Sequence, residues 1–349
     1  MKSKYLLLSI LIALQLPLFA QQADLSLIPF RKGDLWGYAG PDKKLVITPA
    51  YDEANLFYAG LASVRKGSKY GYINMTGKLV IPLKFAIAKN FKYGYTDNVK
   101  NKRTDTVLFA GAAMTADGME KCIDSRGNQM LKCPAISEST ETDISNLIIR
   151  DSAISIYSTL KKSETFDKVV DGFKLPGSED DYYIAIKGDE YGVINNKYDR
   201  IAPFEYNSIN KLIIDNTVYL LVTEHGLNGV LNGNGSVLMP VEFTRIVPVK
   251  ATNGKEYLIV SKNGNTGIKD MQLQQLVAEK FSDILYDKSG GFLVTGNKGL
   301  MGYYFLNNYL LEPVYSELKP VTGGNYVWVR SQTGRSGFIS DKGVEFFEE

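Results

Sequence analysis

Histidine occurs once in the 349 residues, cysteine twice and tryptophan twice. Any Ser-His-Asp triad or multi-histidine metal site would depend on the single His225, which sits in the turn sequence Thr223-Glu224-His225-Gly226. Two cysteines and one histidine do not make a zinc cluster of recognisable spacing. Surplus charge is also missing, since 40 Lys and Arg face 38 Asp and Glu. That balance argues against nucleic acid and anionic membrane as primary partners. Beyond the first twenty residues, no stretch keeps apolar spacing of three and four over about 12 residues, so helix competes poorly. None there is long and apolar enough to cross a bilayer either. No Gly-x-Ser-x-Gly elbow, Walker loop or dinucleotide fingerprint appears, and no cofactor is expected. Ser158-Thr159-Leu160-Lys161 matches the Ser-x-x-Lys pattern of some acyl-transfer enzymes, but without its companion motifs.

What the chain does have is a glycine that returns in aromatic or aliphatic company. It stands in Trp36-Gly37-Tyr38, Tyr70-Gly71-Tyr72, Tyr191-Gly192-Val193, Asn228-Gly229-Val230, Thr266-Gly267-Ile268, Met301-Gly302-Tyr303 and Ser336-Gly337-Phe338. The first two glycines are 34 residues apart and the last five are separated by 37, 38, 35 and 35, the spacing of stacked supersecondary units. A turn follows each anchor, as in Asn74 to Gly77, Asn232 to Gly235 and Ser340 to Gly343, where the side chain opens the turn and glycine closes it. Asp124-Ser125-Arg126-Gly127 repeats that turn without its upstream glycine. Tyr51, Phe85, Tyr206, Phe243 and Phe281 all lie 14 residues after their glycines, which predicts one shared core position per unit. Alternating Val, Ile, Tyr and Phe bounded by Gly, Asn, Asp and Pro give about three short strands per unit of 35 to 38 residues. Glycine in a strand interior predicts a place where another backbone or an aromatic ring approaches closely.

The fold class expected is therefore all-β, a tandem array over residues 27–349 with degenerate repeats at about 91–170. Seven clear units and two degraded ones suit a β-propeller-like ring, with an open β-solenoid as the alternative. These features resemble the WG repeat (KWG) family of bacterial, often secreted proteins. The likeness is closest in residues 31–88, in Trp36-Gly37-Tyr38 with Ile47-Thr48-Pro49 and Tyr51-Asp52, and in Tyr70-Gly71-Tyr72-Ile73-Asn74 with Ile81-Pro82 and Phe85. Elsewhere the tryptophan is lost, marking a divergent member. The resemblance implies a β-repeat scaffold with an interaction role, and it supplies no catalytic residues.

Lys2 and Lys4 precede the apolar stretch Tyr5 to Phe19 and the sequence Leu18-Phe19-Ala20-Gln21-Gln22. This reads as a secretory signal peptide over residues 1–20, so the expectation is a periplasmic or extracellular protein with no stable membrane insertion after cleavage. In an oxidising compartment Cys122 and Cys133, flanking the Asp124 to Gly127 turn, are candidates for a disulfide worth about 2 to 3 kcal/mol; free buried thiols are the alternative.

Candidate binding residues fall in two groups. Arg31, Arg65, Lys187, Lys262 and Arg330 recur near the end of each unit's first strand and would form a row on one rim, where a solvated edge that discourages strand pairing explains them equally well. Tyr93, Tyr95 and Trp328 are aromatic residues off the repeat template. The charged stretch Asp97 to Asp105 breaks the repeat and reads as an inserted loop. Asp52, Glu53, Asp180, Asp181, Glu242 and Asp283 supply carboxylates from which a glycosidase pair could be drawn. The expectation that emerges is an exported, non-enzymatic repeat scaffold binding a protein or glycan at the cell envelope. The alternative is a carbohydrate-active propeller enzyme using a carboxylate pair.

Overall fold

The computed structural model describes residues 23–98, 103–114, 118–136 and 166–348, and none of them is helical. The N-terminal stretch read as a signal peptide, the Ser158 to Lys161 motif and most of the second degraded repeat lie outside these residues. Two compact units are present, one formed by the described residues up to 136 together with Glu348, the other by residues 166–347.

Each regular unit of sequence becomes one antiparallel meander. In the first compact unit, Ile28–Lys32, Leu35–Ala39 and Leu45–Tyr51 form the first sheet, with the short C-terminal strand Phe347–Glu348 joining beside Ile28–Lys32. The second sheet runs Glu53–Ala54, Leu61–Lys66, Lys69–Asn74 and Leu79–Phe85 in chain order. In the second compact unit four sheets follow the same order. Representative is Ser208–Ile214, Thr217–Glu224, Leu227–Asn232 and Val237–Phe243. The last sheet, Glu317–Pro320, Tyr326–Arg330 and Ser336–Ser340, has three strands. A four-stranded meander is the layout of a propeller blade. The sequence reading counted three strands because the fourth begins one or two residues after the shared aromatic, as Glu53 does after Tyr51, and reads as its continuation.

The anchor glycines have a common geometric cause. Three residues on the glycine strand oppose five on the next strand: Tyr70 pairs with Phe85 while Tyr72 pairs with Ile81. The same shift recurs at Trp36 with Tyr51 and Tyr38 with Ile47. The surplus residues form a bulge that crosses over the glycine, and Pro49, Pro82, Pro203, Pro240 and Pro313 sit in it, where no ladder hydrogen bond is demanded of them. A Cβ on Gly71 would lie 2.6 Å from the Ile81 carbonyl oxygen and 2.9 Å from the Leu83 nitrogen. On Gly267 it would lie 2.6 Å from the Val277 carbonyl oxygen. The aromatic that ends the bulge returns to the core, with Phe85, Tyr206, Phe243 and Phe281 buried.

One polar residue later, each meander is latched. The Asp52 carboxylate accepts the Gly67 N–H at 2.6 Å, Asp167 accepts the Gly188 N–H at 2.8 Å, and the Asn207 side-chain oxygen accepts the His225 N–H at 2.8 Å. These bonds tie the head of the first strand to the hairpin joining the second and third. At the opposite turn, Asn74 Oδ1 accepts the N–H groups of Thr76 and Lys78, and Gly77 closes it at φ +80°.

A single meander cannot bury both its faces, and the cores lie between sheets. Tyr38 and Ile47 of the first sheet pack with Val64 and Ile73 of the second; Tyr257 and Ile268 pack with Ile284 and Phe292 two sheets from the end. The tyrosine after the glycine ties neighbours as well. Tyr38 Oη donates to the Asn55 carbonyl at 2.8 Å, and Tyr72 Oη to the Lys89 carbonyl at 2.7 Å, each in the following sheet.

Candidate functional site

One sheet departs from the template. The third sheet of the first compact unit is built from Ile87–Ala88, Lys92–Asn98, Arg103–Ala113 and Lys121–Asp124. Its eleven-residue strand pairs with Lys92–Asn98 along residues 103–109, then with Lys121–Asp124 along residues 109–112. Of the stretch from Asp97 to Asp105, residues 99–102 lie outside the described residues, and the described ends are strand rather than loop. Its ends, Thr104 opposite Asp97 and Asp105 opposite Thr96, are the arms of a β-hairpin.

Tyr93 and Tyr95 lie on this hairpin two residues apart, so they share a face, and each is 43% exposed. Gly94 between them faces the other way. A Cβ there would lie 2.6 Å from the Phe109 ring and 2.9 Å from the Ala135 carbonyl oxygen. Glycine thus lets segment 134–135 close over the strand. The closure is paired, because Tyr95 N–H donates to the Ala135 carbonyl at 2.7 Å and Ala135 N–H returns to the Tyr95 carbonyl at 2.9 Å. Two residues before Ala135, Cys133 is joined to Cys122 by a disulfide with Cα atoms 5.3 Å apart. Cys122 is buried on the strand Lys121–Asp124. The covalent bond therefore tethers the segment that backs the tyrosine strand. Beside it, Phe85, Met114, Met119, Lys121 and Ile123 contribute to a cavity of about 520 Å³. Met114 and Met119 are exposed there, and flexible thioethers adapt readily to varied partners.

The remaining sequence candidates are placed differently. Arg31 is not on a rim. It is only 6% exposed and donates to the Gly33 carbonyl at 2.5 Å, because the strand turns its side chain back over its own hairpin. Arg65 holds Glu53 at 2.7 Å, Lys262 holds Glu242 at 2.7 Å and Arg330 holds Glu317 at 3.2 Å. These cations are neutralised by nearby acids and do not form a free basic row. Lys187 is exposed at the end of its strand. Trp328 is half-buried, with Lys319 Nζ 5.0 Å and the Arg330 guanidinium 5.2 Å from its ring centre, so cations already occupy its ring. His225 is a turn residue at φ +47°, and its side chain is exposed beside Glu224.

The carboxylates proposed for a glycosidase pair are also partnered. Besides Glu53 and Glu242, Asp52 lies 3.8 Å from Arg65, Asp180 2.8 Å from Lys197, Asp181 3.1 Å from Lys174 and Asp283 2.7 Å from Arg245. Among the described residues no group of three or more His, Cys, Asp or Glu is placed to hold a metal. No helix there is long and apolar enough to cross a membrane.

A second concavity, of about 390 Å³, lies in the other compact unit. It is lined by the turns Thr252-Asn253, Lys288-Ser289-Gly290 and Gly323-Gly324-Asn325, with Asp341 and Asn307 beside them. These turns occupy the same hairpin in three successive sheets, which brings residues about 36 positions apart in the chain to one place. Sequence reasoning missed the site. Its signal was the recurrence of Asn, Ser and Gly one strand before each anchor glycine.

The WG containing repeat matches at residues 36–70 and again at 70–103, starting in the strand Leu35–Ala39 of the first sheet, spanning the second and entering the third. No curated protein matches the chain. Among solved structures, a dihydro-heme d1 dehydrogenase, NirN, in complex with DHE is 12% identical, with 93% of this chain and 73% of that one covered at a TM-score of 0.30. The Dos1 propeller is 11% identical over 90% and 76% at 0.25. Hsv2 of Kluyveromyces lactis is 9% identical over 82% and 93% at 0.22. At such scores these likenesses carry no argument about activity.

Proposed function

For a chain whose residues 36–103 are two WG containing repeats, we propose a role as an exported, non-enzymatic scaffold that binds a protein or glycan partner at the cell envelope. The partner is held on the irregular third sheet. The observation that carries this reading is the coincidence, in one sheet, of three departures from the repeat: the long hairpin, the Cys122–Cys133 bond and the paired exposed Tyr93 and Tyr95. Repeat scaffolds break local rules where function requires it, and exposed tyrosines provide large, rigid, amphipathic contact area at low entropic cost. Periplasmic or extracellular placement rests on the N-terminal sequence and on a disulfide's need for an oxidising compartment.

The test is capture of partners from an envelope extract by the wild type, by the double variant Tyr93→Ala/Tyr95→Ala, and by Tyr198→Ala. Tyr198 is 39% exposed in the turn between the strands Glu190–Asn195 and Arg200–Tyr206 of a regular sheet and controls for loss of any surface tyrosine. The reading expects a partner retained by the wild type and by Tyr198→Ala and lost by the double variant. Equal retention by all three proteins sinks it.

A further inference from the structure

The turn-lined concavity of the second compact unit is a binding site of a different kind, and it stands independently of the third-sheet reading. Its walls are unusually close. Gly290, at φ +120°, and Gly324, at φ +73°, face each other, and a Cβ on Gly324 would lie 3.0 Å from the Ser289 carbonyl oxygen and 3.1 Å from that of Gly290. Hydrogen bonds hold the frame. Thr252 N–H donates to Tyr286 Oη at 2.9 Å, Asn307 Nδ2 to the Asp341 carbonyl at 2.7 Å, and Asp341 N–H to the Asn325 carbonyl at 2.8 Å. Asn253 is likewise committed, to Tyr257 Oη and to the Lys255 N–H.

Within that fixed frame several polar groups are left over. The hydroxyls of Thr252 and Ser289, the side-chain amide of Asn325 and the carboxylate of Asp341 make no hydrogen bond or ion pair with the described residues, and all four line the cavity. Together they offer two groups that both donate and accept, one amide with separate donor and acceptor, and one charged acceptor. Lys288 and Asp341 place charge of both signs in the lining. Leu306 and Phe305 provide an apolar wall. A ligand matching this set is electrically neutral, carries several hydroxyls able to donate and accept, and has an apolar face.

We propose that this cleft binds a neutral sugar residue, with the Asp341 carboxylate accepting from its hydroxyls and Asn325, Thr252 and Ser289 completing the ring of contacts. A cavity of about 390 Å³ lies within the range of small-ligand sites, about 300 to 1,000 Å³, and has room for one pyranose. Hydrogen bonds to a charged acceptor are the strong ones, so Asp341 is the residue on which affinity should depend most.

The experiment titrates glucose, galactose and N-acetylglucosamine into the purified protein, followed by saturation-transfer NMR and calorimetry. Asp341→Asn, Asn325→Ala and Tyr93→Ala/Tyr95→Ala are compared, each with its melting temperature as a check on folding. The expected result is binding of at least one sugar, weakened at least about tenfold by Asp341→Asn, weakened also by Asn325→Ala, and unchanged in the double tyrosine variant. Binding of none of the three sugars overturns the proposal. So does binding that Asp341→Asn leaves intact, or binding that the tyrosine variant abolishes. Binding of calcium or inorganic phosphate without any sugar overturns it too, because the site would then select charge.

Discussion

Replacing Gly71 by alanine adds one carbon where the bulged strand crosses. That carbon would lie 2.6 Å from the Ile81 carbonyl oxygen, 2.9 Å from the Leu83 nitrogen and 2.9 Å from the Pro82 carbonyl carbon. All three are backbone atoms, so no side chain can swing away. The bulge is itself held by pairings on either side, Tyr70 with Phe85 and Tyr72 with Ile81. Relief requires lifting the outer strand, and Ile81 and Phe85 are both buried in the core shared with the next sheet. Overpacking costs about 1 to 3 kcal/mol and occasionally more; with rigid neighbours on three sides, a loss of about 3 kcal/mol is expected. The control is Gly111→Ala in the same compact unit. There the nearest atom is the end of the Glu120 side chain at 3.0 Å, with Lys89 Cδ next at 3.5 Å. Both can move, and the change should stay within about 0.5 kcal/mol. Urea unfolding followed by intrinsic fluorescence reads the difference. With an ordinary slope the midpoint of Gly71→Ala should fall by about 1 M or more, while that of Gly111→Ala should barely shift. Equal midpoints for the two variants would refute the close-approach explanation of the repeat glycine.

Three other outcomes follow from particular contacts. Reducing the Cys122–Cys133 bond opens a loop spanning 11 residues and should release about 2 to 3 kcal/mol of constraint; amide exchange at Tyr95 and Ala135 is expected to quicken while Tyr72 stays protected. Tyr72→Phe removes a bond to the Lys89 carbonyl and should cost about 1 kcal/mol, whereas the buried Tyr303 Oη has no partner among the described residues, so Tyr303→Phe should be neutral or stabilising in the same denaturation assay. Burial raises the Glu256 pKa above the ordinary glutamate value, with Lys250 opposing the rise and Asp215 adding to it, and its Oε2 is buried without a hydrogen-bond partner among the described residues. The folded state therefore binds that proton more tightly than the unfolded chain. The stabilisation this gives is complete in acid below the ordinary value and disappears as pH rises through the raised one. Glu256→Gln should accordingly gain stability at neutral pH and little in acid, with stability curves at both pH values as the check.

Much of this architecture could be read before any coordinates. The Gly71 and Gly267 anchors, the Asn74 to Gly77 turn and the buried aromatics at Phe85, Phe243 and Phe281 each follow from local chemistry that a sequence displays directly. The fourth strand did not, because Glu53–Ala54 and Ile87–Ala88 are two residues long and longer ones such as Ser208–Ile214 start two residues after the shared aromatic and read as its continuation. Charge was legible only as composition. That Arg65 meets Glu53, or that Arg31 folds back to Gly33, depends on which strand heads lie beside which hairpins. Tyr93 and Tyr95 stood out because they fall off the template, yet their shared face depends on strand pairing that the charged sequence from Asp97 to Asp105 does not display. The sugar-sized cleft was hidden for a different reason, since its residues are ordinary turn formers whose convergence appears only once successive meanders are stacked.

The most direct measurement of the central claim places a photoactivatable cross-linking residue at position 93, at position 95 or at position 198 in the protein inside the cells that make it. Strong cross-linked products from 93 and 95, with none from 198, are the result predicted for a partner held on the third sheet. Products of equal yield from all three positions, or from 198 alone, would contradict it.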